Sequence, residues 1–209
     1  MPEYTRNIQA LNDNQKAWFK NLNQCAVDII EGPAGSGKTY IAVAEGCSRL
    51  DKKLTDRMIF IRPYVTTEDF GFLPGTLEEK MDPFMQPLID VATQRLSAKR
   101  YNEYVLNGSI EVAALAFLRG RTFHNAWIVF DEAQNSTPEQ MKMVLTRLGD
   151  HTKLIITGDM SQSDISGDNG LRWAINKLQG CPVVSTIKFS NTDIVRSNTV
   201  REIIKHLEN

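Results

Sequence analysis

The chain has 209 residues, 42% of them hydrophobic and 23% charged, and its formal net charge is −1. That composition fits one well-buried globular domain and is not that of a disordered chain. The near-zero charge excludes a protein that coats nucleic acid by bulk electrostatics, so any RNA or DNA contact has to be local. No apolar run reaches the ~20 residues needed to span a bilayer.

The N-terminal stretch MPEYTRNIQALNDNQ is polar and has no apolar signal-peptide core, which predicts a cytoplasmic protein. Cys25, Cys47 and Cys181 are scattered and form no Cys-x-x-Cys pair, as expected of reduced thiols. His124, His151 and His206 lack the spacing of a zinc site.

In chain order, LNDNQKAWFKNLNQ reads as a helix with Trp18, Phe19 and Leu22 on its apolar side. AVDIIEG is a short apolar strand, GKTYIAVAEGCSRL a helix, and RMIFIRP a second buried strand stopped by Pro63. YVTTEDFGFLPGTLEEKMDPFMQPLID, with three prolines, reads as a long loop followed by helical pieces that continue through VATQRLSAKRYNEYV. SIEVAAL and NAWIVF are strands, the second ending at Asp131 and Glu132. TPEQMKMVLTRLGD is a helix capped by Thr137, with Pro138 in its first position, Gln140 three after the cap and Gly149 at its end. TKLIITGD is a strand, NGLRWAINKLQG a helix, CPVVSTIKF the last strand and NTVREIIKHLEN a closing amphipathic helix. Apolar strands alternating with helices predict an α/β fold with a mostly parallel sheet covered on both faces, ligands binding at the carboxyl strand ends. No linker divides the chain, so residues 1–209 are expected to form a single domain, with 1–24 as an N-terminal helical segment.

Gly32-Pro33-Ala34-Gly35-Ser36-Gly37-Lys38-Thr39 matches G-x-x-x-x-G-K-[ST] in full, with a strand before it and a helix after it. Glycines let the backbone aim its N–H groups inward as an anion nest, and the helix N-terminus adds partial positive charge. Lys38 supplies a point charge for the β- and γ-phosphates, and the Thr39 hydroxyl is a ligand for Mg²⁺. Asp131, ending an apolar strand, is the second metal-side group. Glu132 beside it is placed to polarise a water for attack on the γ-phosphate. Gln162, three residues after Asp159, is an uncharged amide able to touch both γ-phosphate and water. Gln15, upstream, has the amide that pairs with N6 and N7 of adenine and so selects ATP.

In order, these motifs follow the N-terminal motor domain of superfamily 1 helicases. A closer match comes from GPAGSGKTYIAVA, IRPYV, GFLPGTLEEKMDPFMQPL, IEVAALAFLRGRTF, IVFDEAQN, EQMKMVLTRLG, ITGDMSQSD and GLRWAI, which resemble the PhoH family of phosphate-starvation-linked ATPases. The resemblance implies a RecA-like P-loop NTPase fold of three αβα layers, ATP binding, Mg²⁺-dependent hydrolysis and a role in RNA metabolism. Some members carry a PIN ribonuclease domain upstream. The residues before the first strand offer no spaced acids for two metals, so an ATPase domain alone is expected. Members usually continue the late arginine as VRHP; here Arg196 is followed by Ser197 and Asn198.

A superfamily 1 helicase closes its ATP site with a second motor domain, and one motor domain is present here. The expectation is a head-to-tail homo-oligomer, taken as a hexameric ring, in which a neighbour supplies an arginine in trans, worth roughly 10³–10⁵ in rate. Arg196 leads, with Arg119 and Arg121 as alternatives. Arg62, after the second strand, is placed to contact single-stranded RNA, and Phe70 and Phe72 in the following loop either stack on its bases or pack against a neighbour or the core. A competing reading is a nucleotide-dependent interaction module that turns over slowly and recruits a nuclease.

Overall fold

The computed structural model describes residues 8–63, 77–195 and 206. Elements run α1 (Asp13–Asn21), β1 (Val27–Glu31), α2 (Lys38–Asp51), β2 (Arg57–Ile61), α3 (Leu77–Leu96), α4 (Ala98–Leu106), β3 (Ile110–Ala113), β4 (Ala126–Phe130), α5 (Pro138–Leu145), β5 (Lys153–Gly158), α6 (Gly170–Lys177) and β6 (Val184–Lys188). The six strands form one sheet in the order β3-β2-β4-β5-β1-β6, and every neighbouring pair is parallel.

Alternation along each strand explains the layers. Ile30, Met58, Phe60, Trp127, Val129 and Ile155 face one core with Trp18, Ile41, Met85 and Tyr101 of α1 to α4. Their strand neighbours Ile29, Ile59, Ile61, Ile128, Phe130 and Ile156 face the other, with Met141 of α5 and Leu171 of α6. Strands apolar on both faces are what a doubly covered parallel sheet needs. The expected three-layer α/β fold is therefore present, and a crevice opens at the carboxyl ends where the helices after β1 and β4 leave on opposite faces.

Three element readings change. The loop and helical pieces expected before residue 96 include one 20-residue helix, α3, that runs through Pro83 and Pro87. Met85, Leu88, Ala92 and Leu96 make a stripe at helical spacing buried in the core. Packing of that stripe offsets the ~3 kcal/mol that an interior proline costs. The capping box of α5 is as expected: Thr137 Oγ1 accepts from the Gln140 amide at 3.2 Å and Gln140 Oε1 accepts from the Thr137 amide at 2.9 Å. The helix stops at Leu145, however, because residues 147–149 leave it to bridge Phe123, with Phe123 N donating to Arg147 O at 2.9 Å and Gly149 N to Phe123 O at 2.8 Å. β6 begins only at Val184, since Val184 N donates to Cys181 O in a turn. The closing helix lies outside the described residues, apart from His206. Among the described residues no helix is long and apolar enough to cross a membrane.

Candidate functional site

The phosphate loop is built between β1 and α2 and braced from behind. Gly35 and Gly37 take left-handed φ values of 82° and 85°, which turn the loop so that α2 starts at Lys38. Gly32 lets the loop pass against Phe189, the residue that follows β6: a Cβ there would lie 2.6 Å from the Phe189 Cβ. Phe189 in turn stacks edge-on against Trp18 of α1, with ring centroids 6.4 Å apart.

Lys38 is folded back over its own loop. Its Nζ donates to the carbonyls of Gly32 at 2.7 Å and Pro33 at 2.8 Å. It is only 8% exposed, and burial pushes its pKa below the usual lysine value, against the pull of Asp159, Asp131 and Glu132. Two carbonyls thus hold an ammonium beside the anion nest.

Asp131 and Glu132 follow the buried run of β4. Asp131 Oδ1 accepts from Thr39 Oγ1 at 2.8 Å and from Thr157 Oγ1 at 2.6 Å, so α2, the end of β4 and β5 converge on one carboxylate oxygen. The Thr39 hydroxyl and Asp131 carboxylate are the pair expected for Mg²⁺, an ion that takes one or two protein oxygens and fills the rest with water and phosphate. Among the described residues no group of three or more His, Cys, Asp or Glu could hold a metal. Glu132 has a left-handed backbone, φ 53° and ψ 38°, unusual for a side chain with a Cβ and typical of strained functional positions. Gln134 Nε2 donates to Glu132 Oε2 at 2.7 Å.

A cleft of about 250 Å³ joins these groups, lined by Gly35, Lys38, Thr39, Asp131, Glu132 and Gln162 among others. Gln162 is exposed on the rim in the short turn Met160–Gln162. The structure therefore brings together eight-residue loop, both acids and the amide that the sequence placed at separate strand ends.

Other expectations change. The Gln15 amide is 2% exposed and spent on the protein: Nε2 donates to Ser36 O at 2.9 Å and Oε1 accepts from Leu11 N at 2.7 Å. Here it braces the phosphate loop, with one N–H and one carbonyl lone pair of the amide engaged. Arg62 does not face an open strand end for nucleic acid; its Nη2 lies 3.2 Å from Asp131 Oδ2 and 3.0 Å from Glu132 Oε1. Arg121 is engaged by Glu111 at 2.5 and 2.8 Å and stacks over Phe123, a structural arginine rather than a free finger. Arg119 is exposed and makes no ion pair with a described residue. Arg196, Phe70 and Phe72 lie outside the described residues.

Sequence reasoning missed Thr157, Gln134 and Asp159 as parts of the site. Asp159 Oδ2 accepts from the Ala34 amide at 3.0 Å, and its own amide donates to Gln134 Oε1 at 3.0 Å. Thr157 had a signal: it is the polar residue in the apolar run LIIT, directly before the Gly158-Asp159 turn.

A full phosphate loop, a metal-side carboxylate and an adjacent glutamate at the carboxyl ends of a parallel sheet define a P-loop nucleotide-binding protein of ATPase type. The PhoH-like protein family matches residues 7–208, and the chain belongs to it. It is 43% identical over 194 residues to a PhoH-like protein of Mycobacterium leprae, covering 91% of this chain and 56% of that one. Identity to a PhoH-like protein of Bacillus subtilis is 46% over 177 residues, covering 83% and 56%. With Protein PhoH of Escherichia coli K12 it is 40% over 199 residues, covering 92% and 56%. The chain thus spans little more than half the length of these relatives. Among solved structures, the UvsW helicase from bacteriophage T4 is similar at a TM-score of 0.49 and 12% identity, over 89% of this chain and 61% of that one. The N-terminal domain of the phi29 DNA packaging ATPase is similar at 0.47 and 14%, over 90% and 100%. Likeness at those scores carries no functional weight.

Proposed function

We propose that this chain is a Mg²⁺-dependent ATP hydrolase that acts in RNA metabolism as one unit of a ring, driving a helicase or translocase. The observation that carries the reading is the convergence of Thr39, Asp131 and Glu132 beside Lys38 in one cleft. In this mechanism the loop amides and Lys38 bind the β- and γ-phosphates. Thr39 and Asp131 would hold Mg²⁺, which supplies charge neutralisation on the phosphate oxygens when bound. Glu132 takes a proton from the attacking water, and Gln162 on the rim contacts the γ-phosphate. A neighbouring copy supplies the arginine, Arg196 first and the exposed Arg119 next, in a hexamer whose channel passes single-stranded RNA.

A second reading is a slow nucleotide-dependent module that recruits a nuclease. One observation favours it: in this arrangement Lys38 and both Glu132 oxygens are bound by protein groups. ATP turnover with and without single-stranded RNA, in wild type and Glu132→Gln, separates the two. RNA-stimulated turnover that vanishes in Glu132→Gln supports the motor. Equal turnover in both proteins removes Glu132 from the chemistry, and tight ATP binding with negligible turnover under all conditions supports the module.

A further inference from the structure

Arg62 does not line the phosphate cleft, yet it controls two groups that do. Its side chain, 16% exposed at the end of β2, bridges Asp131 and Glu132 through Nη2. Nη1 donates to the carbonyl of Phe84 on α3. The Nε–H is buried with no acceptor among the described residues. Glu132 in turn accepts from Gln134, Gln134 accepts from the Asp159 amide, and Asp159 accepts from Ala34 in the phosphate loop. A continuous line of hydrogen bonds therefore runs from α3 to the phosphate loop, with Glu132 at its centre.

A glutamate that activates water must aim a free lone pair at that water. In the present arrangement one Glu132 oxygen faces a guanidinium and the other faces the Gln134 amide. Two details mark this hold as provisional. The Glu132 backbone is left-handed, and the buried Arg62 Nε–H is unsatisfied, so neither group is in a fully relaxed setting.

We propose that Arg62 is the positioning residue that withholds Glu132 from the water, and that α3 keeps Arg62 in place through the Phe84 carbonyl. The inference rests on the ATPase reading above. Phe84 itself is 42% exposed, so the anchor lies at the surface of α3.

The test is steady-state ATP turnover of the full chain with Mg²⁺, alongside binding of a fluorescent ATP analogue, for wild type, Arg62→Ala, Arg62→Lys, Glu132→Gln and Arg62→Ala/Glu132→Gln. The expected result is a rise of about tenfold in kcat for Arg62→Ala at a KM changed by less than about twofold. Arg62→Lys, with a charge but no fork, should fall between. The gain should disappear in the double variant. Adding guanidinium ion, against a matched sodium chloride control, should return Arg62→Ala toward the wild-type rate, which a merely structural role would not do. A kcat that is unchanged or lower in an Arg62→Ala protein that still binds the analogue overturns the proposal. If Arg62→Ala does not fold, Arg62→Lys decides by the same sign. Wild-type turnover in Glu132→Gln would remove Glu132 from the chemistry and overturn the proposal with it, whereas negligible turnover in every variant that still binds the analogue would instead sink the ATPase reading on which the proposal stands.

Discussion

Two clusters of arginine and carboxylate lie on the same sheet with opposite charge balance. At the ends of β2 and β4 one guanidinium, Arg62, is shared by two carboxylates, Asp131 and Glu132. On the flank of β3 one carboxylate, Glu111, is shared by two guanidiniums, Arg57 and Arg121. The second cluster has more cation than it needs, and the hydrogen bonds from Arg121 hold the Glu111 carboxyl below its usual pKa. It is complete without any further group and its task is to tie β2 and β3 to the following turn. The first cluster is one positive charge short, beside an anion nest. Under the proposed function, that deficit is where a divalent cation carrying phosphate would sit. Charge balance, more than the presence of ion pairs, separates a working cluster from a structural one.

The largest effect that sharpens this contrast is at Glu132. Glu132→Gln should lower kcat by about 10²–10⁴ while nucleotide binding persists, checked by turnover and by titration with a fluorescent ATP analogue. A third arrangement, one acid to one cation, gives the next effect. Asp28 on β1 is fully buried, 2.8 Å from Lys153 Nζ and 3.1 Å from Trp18 Nε1. Burial raises the Asp28 pKa and lowers that of Lys153, so each depends on the other to stay charged. Asp28→Ala should cost about 3 kcal/mol in urea unfolding, because it strands a buried ammonium. Gly32→Ala, which drives a methyl into Phe189, should cost about 2 kcal/mol and weaken analogue binding together with stability. The smallest effect belongs to the structural cluster. Arg121→Ala should cost about 1 kcal/mol with kcat unchanged; a large loss of kcat would return Arg121 to the site.

The pH dependence of that last difference has a definite sign. Glu111 has a folded pKa below the ordinary glutamate value of 4.5, so its contribution is fully present above that value. It is lost as pH falls through the lower, folded value. Urea midpoints of wild type and Arg121→Ala should therefore differ most near neutrality and converge in acid.

What the sequence revealed was whatever depends on neighbours in the chain. Gly32 to Thr39, the apolar strand ending in Asp131 and the Thr137 capping box are local patterns, and each appears in the structure where the residues predicted it. What it hid depends on partners far away. Arg62 meets Glu132 70 positions later, and nothing around Arg62 distinguishes a guanidinium gripping RNA from one clamping carboxylates. Gln15 reaches Ser36 across 21 positions, a contact that only the return of the phosphate loop past α1 creates. Pro83 and Pro87 signalled broken helix, and the buried stripe of α3 that overrides them is visible only once α2 stands opposite.

The left-handed backbone at Glu132 has an evolutionary consequence. A glutamate resides there against the preference of its own peptide unit, whereas glycine or asparagine would rest in it comfortably. Drift under selection for folding alone therefore runs toward those two residues. A natural variant carrying either one at this position is the place to look for a lineage that has kept the fold and the nucleotide while abandoning turnover.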